Sequence, residues 1–124
     1  MQQDQGDMQQ DRRSIHRVVV VLPVKLERED GTIVEAHTVN LSRTGVQVSC
    51  TVEQAKRLMG DEEGVTQFPE LKLELPLGER SPLRTMCKVL YCHRQSQQEY
   101  CLGLKYLAVD DSGLETVEGI ISAA

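Results

Sequence analysis

The feature that most constrains the fold is a run in which leucines alternate with charged residues, from Leu71 to Leu75. Side chains of a β-strand point alternately to its two faces, so this period of two predicts a strand with one buried and one solvated face. Pro76 and Gly78 end the run. The core must be built from Val, Leu and Ile, because the whole chain contains only three tyrosines, one phenylalanine and no tryptophan.

Other short apolar runs, separated by turn signals, predict further strands. Pro23 cannot donate to a ladder, so the first of these strands is expected to lie at an edge or to be bulged there. Asp30-Gly31 predicts a hairpin between the first two. In the second strand we expect Val34 and Ala36 to share one face, with Ile33, Glu35 and His37 on the other. The predicted strands cover residues 17–26, 32–39, 45–50, 83–91 and 100–107, and a polar turn at 40–44 joins the second to the third.

Two capping patterns predict helices. Thr51-x-x-Gln54 has the form of a capping box, and Gly60 stands where a helix would end, so a short helix is expected from Thr51 to Met59. Ser112-x-x-Glu115 predicts a C-terminal helix in the same way. One face of that helix would be apolar and would pack on the strands; its members are Leu114, Val117 and Ile121.

About six short strands with closely spaced turns predict a mainly β protein, a small six-stranded antiparallel barrel. The short helix is inserted between strands, and the C-terminal helix would cover one open end of the barrel. Residues 1–10 contain five glutamines and no apolar periodicity, which predicts a disordered tail. Residues 11–124 are then a single domain, with an acidic loop at 61–67.

Composition excludes several classes of function. The formal net charge of −5 disfavours a general nucleic-acid-binding protein, which usually spreads positive charge over a face. No stretch approaches the roughly 18 apolar residues of a membrane span, and no apolar signal core is present, so we expect a cytoplasmic protein with no membrane partner. Four cysteines without a CxxC pair or a suitably spaced histidine predict reduced thiols and no metal site.

Three arginines lie close together just before the first predicted strand, in the segment 11–17, here called the arginine lead. They are Arg12, Arg13 and Arg17. Guanidinium groups stay charged, bind phosphate through two parallel donors and stack on flat bases. A local cluster of this kind in an acidic protein favours a small anionic ligand over a polyanion.

Two short motifs together resemble a known family. Arg13-x-x-x-Arg17, followed by Asn40-x-Ser42-x-x-Gly45, resembles the signature of the PilZ domain, the bacterial receptor module for the second messenger cyclic di-GMP. The segment from Tyr100 to Tyr106, which contains Gly103, resembles the last barrel strand of that family. The resemblance covers residues 11–107 and implies a six-stranded barrel.

The resemblance also implies a binding site for cyclic di-GMP. Arginine can bond guanine O6 and N7, bind phosphate or stack on a base. Asn40 offers an amide to a guanine edge, Ser42 offers a hydroxyl, and Gly45 permits an unusual backbone angle or a close approach of the ligand. The implied binding residues are Arg12, Arg13, Arg17, Asn40, Ser42 and Gly45, and weaker candidates are Arg43, His16, Gln47 and Tyr91.

An arginine at position 12, immediately before the first motif, implies binding of the ligand as an intercalated dimer. The resulting interpretation is a receptor or adaptor for signal transduction, without catalysis or a cofactor, that acts on a downstream protein. Ligand binding would order the arginine lead and change the surface seen by that partner. The alternative is a PilZ-like adaptor that binds no nucleotide. Cys92-His93 is a poor catalytic pair, because neighbouring strand residues point to opposite faces.

Overall fold

The computed structural model describes residues 17–60, 68–77 and 80–123, and in these ranges the chain forms seven strands and two helices. The strands are β1 (Val18–Val19), β2 (Pro23–Glu27), β3 (Ile33–Leu41), β4 (Gly45–Thr51), β5 (Glu70–Leu77), β6 (Arg80–Arg94) and β7 (Glu99–Tyr106). The helices are α1 (Val52–Met59) and α2 (Asp111–Ala123).

Six of these strands form a closed antiparallel barrel. The neighbours run β3-β2-β5-β6-β7-β4, and β4 pairs again with β3, so the sheet closes on itself. The extra strand β1 pairs with the end of β3. The expected barrel with a short inserted helix and a C-terminal helix is therefore confirmed. Neither helix of the described residues is long and apolar enough to cross a membrane.

Alternating side chains fill the barrel, as the sequence pattern predicts. Leu71, Leu73 and Leu75 are at most 2% exposed, while the lysine between the first two is exposed. Val34 and Ala36 are buried too, and the three residues predicted for the opposite face of β3 are exposed. Each fully buried aliphatic side chain contributes about 1.5–3 kcal/mol relative to exposure. Apart from Tyr106, the buried hydrophobic residues are aliphatic or carry a thiol, and the buried polar residues are Thr38, Ser42 and Thr85.

The expected continuous strand over residues 17–26 is wrong, because the chain forms β1 and β2 with a break at residues 20–22. Pro23 is the first residue of β2, a position where its missing N–H breaks no ladder. Thr38 on β3 bridges the break. Its hydroxyl accepts from the N–H of Leu22 at 2.9 Å and donates to the carbonyl of Val20. The buried threonine thereby holds the chain that follows the arginine lead.

The capping prediction is confirmed for α1 and wrong for α2. The Thr51 hydroxyl accepts from the N–H of Gln54 at 3.1 Å, and the Gln54 side chain accepts from the N–H of Thr51 at 2.9 Å. In α2, however, the carboxylate of Asp110 accepts from the N–H of Gly113 at 2.7 Å. Asp110 precedes the helix and caps it, so Ser112 lies inside the first turn. Val117 of the expected apolar face is fully buried.

The hairpin between β6 and β7 is tighter than expected. The predicted strands 83–91 and 100–107 leave a longer connection than the structure has, because β6 continues to Arg94 and β7 begins at Glu99. The Arg94 guanidinium donates to the carbonyls of Ser96 and Gln97 at 3.0 and 2.9 Å, which closes the turn.

The expected disordered tail at 1–10 and acidic loop at 61–67 lie outside the described residues.

Replacing Thr38 with valine tests the bridge across the break. The variant keeps the shape of the side chain but removes the partner of a part-buried N–H and of a part-buried carbonyl, so we expect a loss of about 1–3 kcal/mol in the free energy of unfolding. Chemical denaturation measures this loss. Thr32→Val, at a partly exposed site, is the control and should change stability by less than about 0.5 kcal/mol. Equal effects of the two changes would contradict the bridge.

Candidate functional site

Three polar side chains and one glycine form a line across the outer face of four neighbouring strands, here called the polar row. The register aligns Asn40 on β3 with Gln47 on β4. Gln47 is aligned with Gly103 on β7, and Gly103 with Tyr91 on β6. The row therefore brings together residues that are far apart in the sequence. Asn40, Gln47 and Tyr91 are each half-buried, so the row is open to solvent on one side.

Two β-bulges turn the outer members of the row away from the core. Val39 is an extra residue of β3, because Thr38 and Asn40 pair with adjacent residues of β4. Leu90 is an extra residue of β6 in the same way, opposite β7. An extra residue shifts the alternation of the strand by one. Thr38 and Val89 thus point inward, whereas the site residues two positions later point outward.

A chain of hydrogen bonds runs along the polar row and out to the arginine lead. Arg17, just before β1, donates from Nη1 to Asn40 Oδ1 at 2.9 Å. Asn40 Nδ2 donates to Gln47 Oε1, and Gln47 Nε2 donates to the Tyr91 hydroxyl at 3.0 Å. The last arginine of one motif and the first residue of the other, 23 positions apart, are therefore in direct contact.

Gly103 explains how Tyr91 can lie along the row. A Cβ at this position would overlap the Tyr91 ring, so the ring lies across the glycine backbone toward β4. His93 follows on the same outer face, with its ring centroid 4.8 Å from that of Tyr91 and the planes tilted by 31°. From the sequence, Gly103 is known only as part of the family resemblance, and its contact with Tyr91 depends on a strand pairing that no local pattern reveals. Tyr91 and His93, by contrast, are two positions apart on β6, so strand alternation alone places them on the same face.

The second motif is less exposed than expected. The predicted turn at 40–44 is wrong at its start, because β3 continues through Asn40 and Leu41. Ser42 is fully buried, and its hydroxyl accepts from the N–H groups of Thr44 and Gly45, both at 3.2 Å. Ser42 therefore shapes the turn. A contact between its hydroxyl and a ligand stays a prediction.

Gly45 is required by packing against β7. Its φ is not positive, so the expected unusual backbone angle is wrong. A Cβ on Gly45 would overlap the carbonyl oxygen of Leu104 and come within 3.3 Å of Lys105 Cα. The N–H of Tyr106 also donates to the carbonyl of Thr44 at 3.0 Å. The absent side chain thus lets the turn lie directly on the last barrel strand.

Arg43, one of the weaker candidates, forms an ion pair with α2. Its Nε lies 3.0 Å from Oε2 of Glu118, and each side chain is about half exposed, at 53% and 46%. The pair connects the turn with the C-terminal helix. Arg12, Arg13 and His16 lie outside the described residues. The geometry above therefore includes Arg17 alone of the three expected arginines.

The thiols of the barrel are poor nucleophiles. Burial raises the pKa of Cys50 and of Cys87 to about 12 and also raises the pKa of Cys92. Cys92 packs against the core, whereas the neighbouring His93 is exposed on the outer face. Within residues 17–60, 68–77 and 80–123, no three His, Cys, Asp or Glu side chains come together as a metal site would require.

Gly103→Ala tests the contact between the Tyr91 ring and the Gly103 backbone. The added methyl group should displace Tyr91 and cost about 1–3 kcal/mol of stability. In a Tyr91→Ala background the same change should cost far less, because the overlapping atoms are gone. Denaturation of the four members of this double-mutant cycle measures the coupling. Additive effects would show that the ring does not lie over Gly103.

The fold is similar to several solved structures. The PilZ domain with cyclic di-GMP of YcgR from Escherichia coli has a TM-score of 0.68 at 11% identity, over 90% of both chains. The PilZ domain of CeSA from a cellulose-synthesizing bacterium has a TM-score of 0.58 at 16% identity, over 87% of this chain and 96% of the other. The MrkH–cyclic di-GMP complex of K. pneumonia has a TM-score of 0.67 at 13% identity, over 86% of this chain and 49% of the other.

The comparison with family sequences covers nearly the whole domain. No curated protein sequence matches the chain. The sequence model of the PilZ domain matches residues 11–123, a range that contains the arginine lead, the barrel and α2. The chain belongs to the PilZ domain family.

Proposed function

We propose that this PilZ domain is a receptor for cyclic di-GMP that acts as an adaptor in signal transduction. The observation that carries the proposal is the hydrogen bond from Arg17 to Asn40, which joins the two sequence motifs at the edge of an exposed row. Two of the similar structures are described as containing cyclic di-GMP, which supports the choice of ligand.

The charges and donors of the site match such a ligand. Cyclic di-GMP carries two phosphates and two guanine bases. Arg17 is exposed, so its guanidinium can leave Asn40 for a phosphate or for O6 and N7 of guanine. Once Arg17 has left, the Asn40 carbonyl oxygen is free to accept from the N1–H and N2–H groups of a guanine. In this proposal Arg12 and Arg13 supply the remaining positive charge, and Ser42 and Gly45 hold the turn beside the ligand.

Tyr91 adds a flat surface to the proposed site. Its ring rests on the backbone of Gly103, is half-buried, and stands in line with Asn40 and Gln47. Stacking of a base on an aromatic ring contributes about 1–3 kcal/mol per base. We therefore place one guanine against Tyr91, with its edge toward the side-chain amide of Asn40.

The proposed output is a change of surface at the arginine lead. Ligand bridging between Arg13, Arg17 and the barrel would order the lead, and charge-assisted bonds must offset the entropy lost. Val19 and Val21 immediately follow the lead and are 80% and 70% exposed. Two exposed apolar side chains beside an ordered lead offer a surface that a downstream protein can recognise.

The proposed role is binding without chemistry. The raised pKa values of the thiols and the separation of Cys92 from His93 support this. The outer face of β2, β5 and β6 does not favour nucleic acid either, since a lysine, a glutamate and an arginine alternate across it, at Lys25, Glu74 and Arg84. A cytoplasmic, bacterial setting fits a receptor for this messenger.

Arg17→Ala tests the proposed function. Loss of a charge-assisted pair costs about 1.5–3 kcal/mol, so affinity for cyclic di-GMP should fall roughly ten- to hundredfold. Isothermal titration calorimetry measures the change, and Arg13→Ala should behave alike. Arg84→Ala removes the same charge from another face and is the matched control. Unchanged affinity in Arg17→Ala would refute the assigned site, and a folded parent that binds no cyclic di-GMP would favour the adaptor without nucleotide.

Arg12 is proposed to determine the stoichiometry. If it supports an intercalated dimer, calorimetry of the parent should give two ligands per chain, and Arg12→Ala should lower this number toward one. Sedimentation at matched concentrations excludes a change of oligomeric state as the cause. One ligand per chain in the parent would contradict the role of Arg12 and leave the receptor function intact.

A further inference from the structure

The hydrogen-bond chain of the polar row has one direction, and Arg17 determines it. A guanidinium group has only donors, so the Asn40 atom that faces Arg17 must be the carbonyl oxygen Oδ1. The amide nitrogen of Asn40 then faces Gln47, which must present its own oxygen. The nitrogen of Gln47 is left to donate to Tyr91. Each of these three bonds therefore pairs a donor with an acceptor.

Gln47 is placed to keep this orientation when Arg17 leaves. The bulge at Val39 puts Asn40 directly opposite Gln47, and the other end of Gln47 is held by the Tyr91 hydroxyl. An arginine that turns to a ligand no longer orients the amide, and an asparagine amide without another partner could then rotate by half a turn at low cost. The bond to Gln47 does not depend on Arg17, and while it persists the Asn40 amide can reverse only if the Gln47 amide and the Tyr91 hydroxyl proton reverse with it.

We propose that Gln47 is a positioning residue that fixes the side-chain amide of Asn40. With Gln47 in place, Asn40 keeps its oxygen toward the open end of the row, where it accepts from Arg17 or from the N1–H and N2–H groups of a guanine. Gln47 acts through Asn40 and does not contact the ligand. The inference rests on the proposed binding of cyclic di-GMP and deepens it.

A carboxylate at position 40 would make the positioning residue unnecessary. Its two oxygens are equivalent acceptors, so either orientation presents an acceptor to the open end of the row. Gln47 can also turn its amide to donate to a carboxylate, and the Tyr91 hydroxyl then donates to the Gln47 oxygen. The sensitivity of binding to Gln47 should therefore depend on whether residue 40 is an amide or an acid.

Titration of four proteins with cyclic di-GMP tests this dependence: the parent, Gln47→Leu, Asn40→Asp, and the double variant. Gln47→Leu should lower affinity roughly tenfold, because Asn40 loses its orientation. In the Asn40→Asp background the same substitution should change affinity less than twofold. Gln97→Leu, in the exposed β6–β7 turn, is the control for the loss of one surface glutamine. Thermal unfolding confirms that each variant is folded.

Each result decides between distinct explanations. Equal losses from Gln47→Leu in both backgrounds would mean that Gln47 contacts the ligand directly, which overturns the positioning role. A Gln47→Leu variant that binds like the parent overturns it as well. Both results leave the proposed receptor function standing, since the parent binds. A parent that does not bind overturns the receptor function and the positioning role together.

A measurement without ligand tests the geometry itself. The two side-chain amide protons of Asn40 give separate NMR signals, and the proton bonded to Gln47 should be shifted downfield. Gln47→Leu should remove that shift, whereas Gln97→Leu should leave it in place. An Asn40 amide signal that does not respond to Gln47→Leu would overturn the proposed positioning, whatever the affinities show.

Discussion

Two extra residues in the barrel strands, Val39 and Leu90, determine on which side of the wall the site residues lie. Strand side chains alternate strictly, so without these bulges Asn40 and Tyr91 would point into an apolar core. Burying an unpaired amide costs roughly 1–3 kcal/mol. The bulges instead place both side chains outside, on either side of Gln47 and Gly103. The hydrogen-bond chain to Arg17 depends on this placement.

Local patterns predict most of the barrel and only part of the site. The leucine alternation in β5 and the capping box of α1 are properties of neighbouring residues, and both predictions are confirmed. A bulge, by contrast, is defined by the register between strands that are distant in sequence. The predicted cap of α2 is wrong for a different reason, because Asp110 and Ser112 are both residues that commonly cap helices and the structure uses Asp110.

The two glycines and the serine of the site show why motif residues are easily misassigned. From sequence alone, Ser42 and Gly45 look like ligand contacts. In the structure, the serine bonds the turn to itself and Gly45 makes room for the carbonyl of Leu104. Gly103 makes room for Tyr91 in a similar way. These residues fix the shape of the turn and the position of the tyrosine ring, whereas in the proposed site Arg17 and Asn40 supply the donors and acceptors for the ligand.

In the proposed receptor, the rigidity of the turn after β3 lowers the entropic cost of ligand binding. The turn after β3 is fixed by its own serine, by a backbone bond from Tyr106 and by the ion pair between Arg43 and Glu118. The ion pair is exposed and contributes at most about 1 kcal/mol, so the first two contacts carry most of the rigidity. A rigid wall loses little conformational entropy when a ligand binds. In the proposed receptor, the entropic cost then falls mainly on the arginine lead, and the charge-assisted bonds of Arg17 would offset part of it.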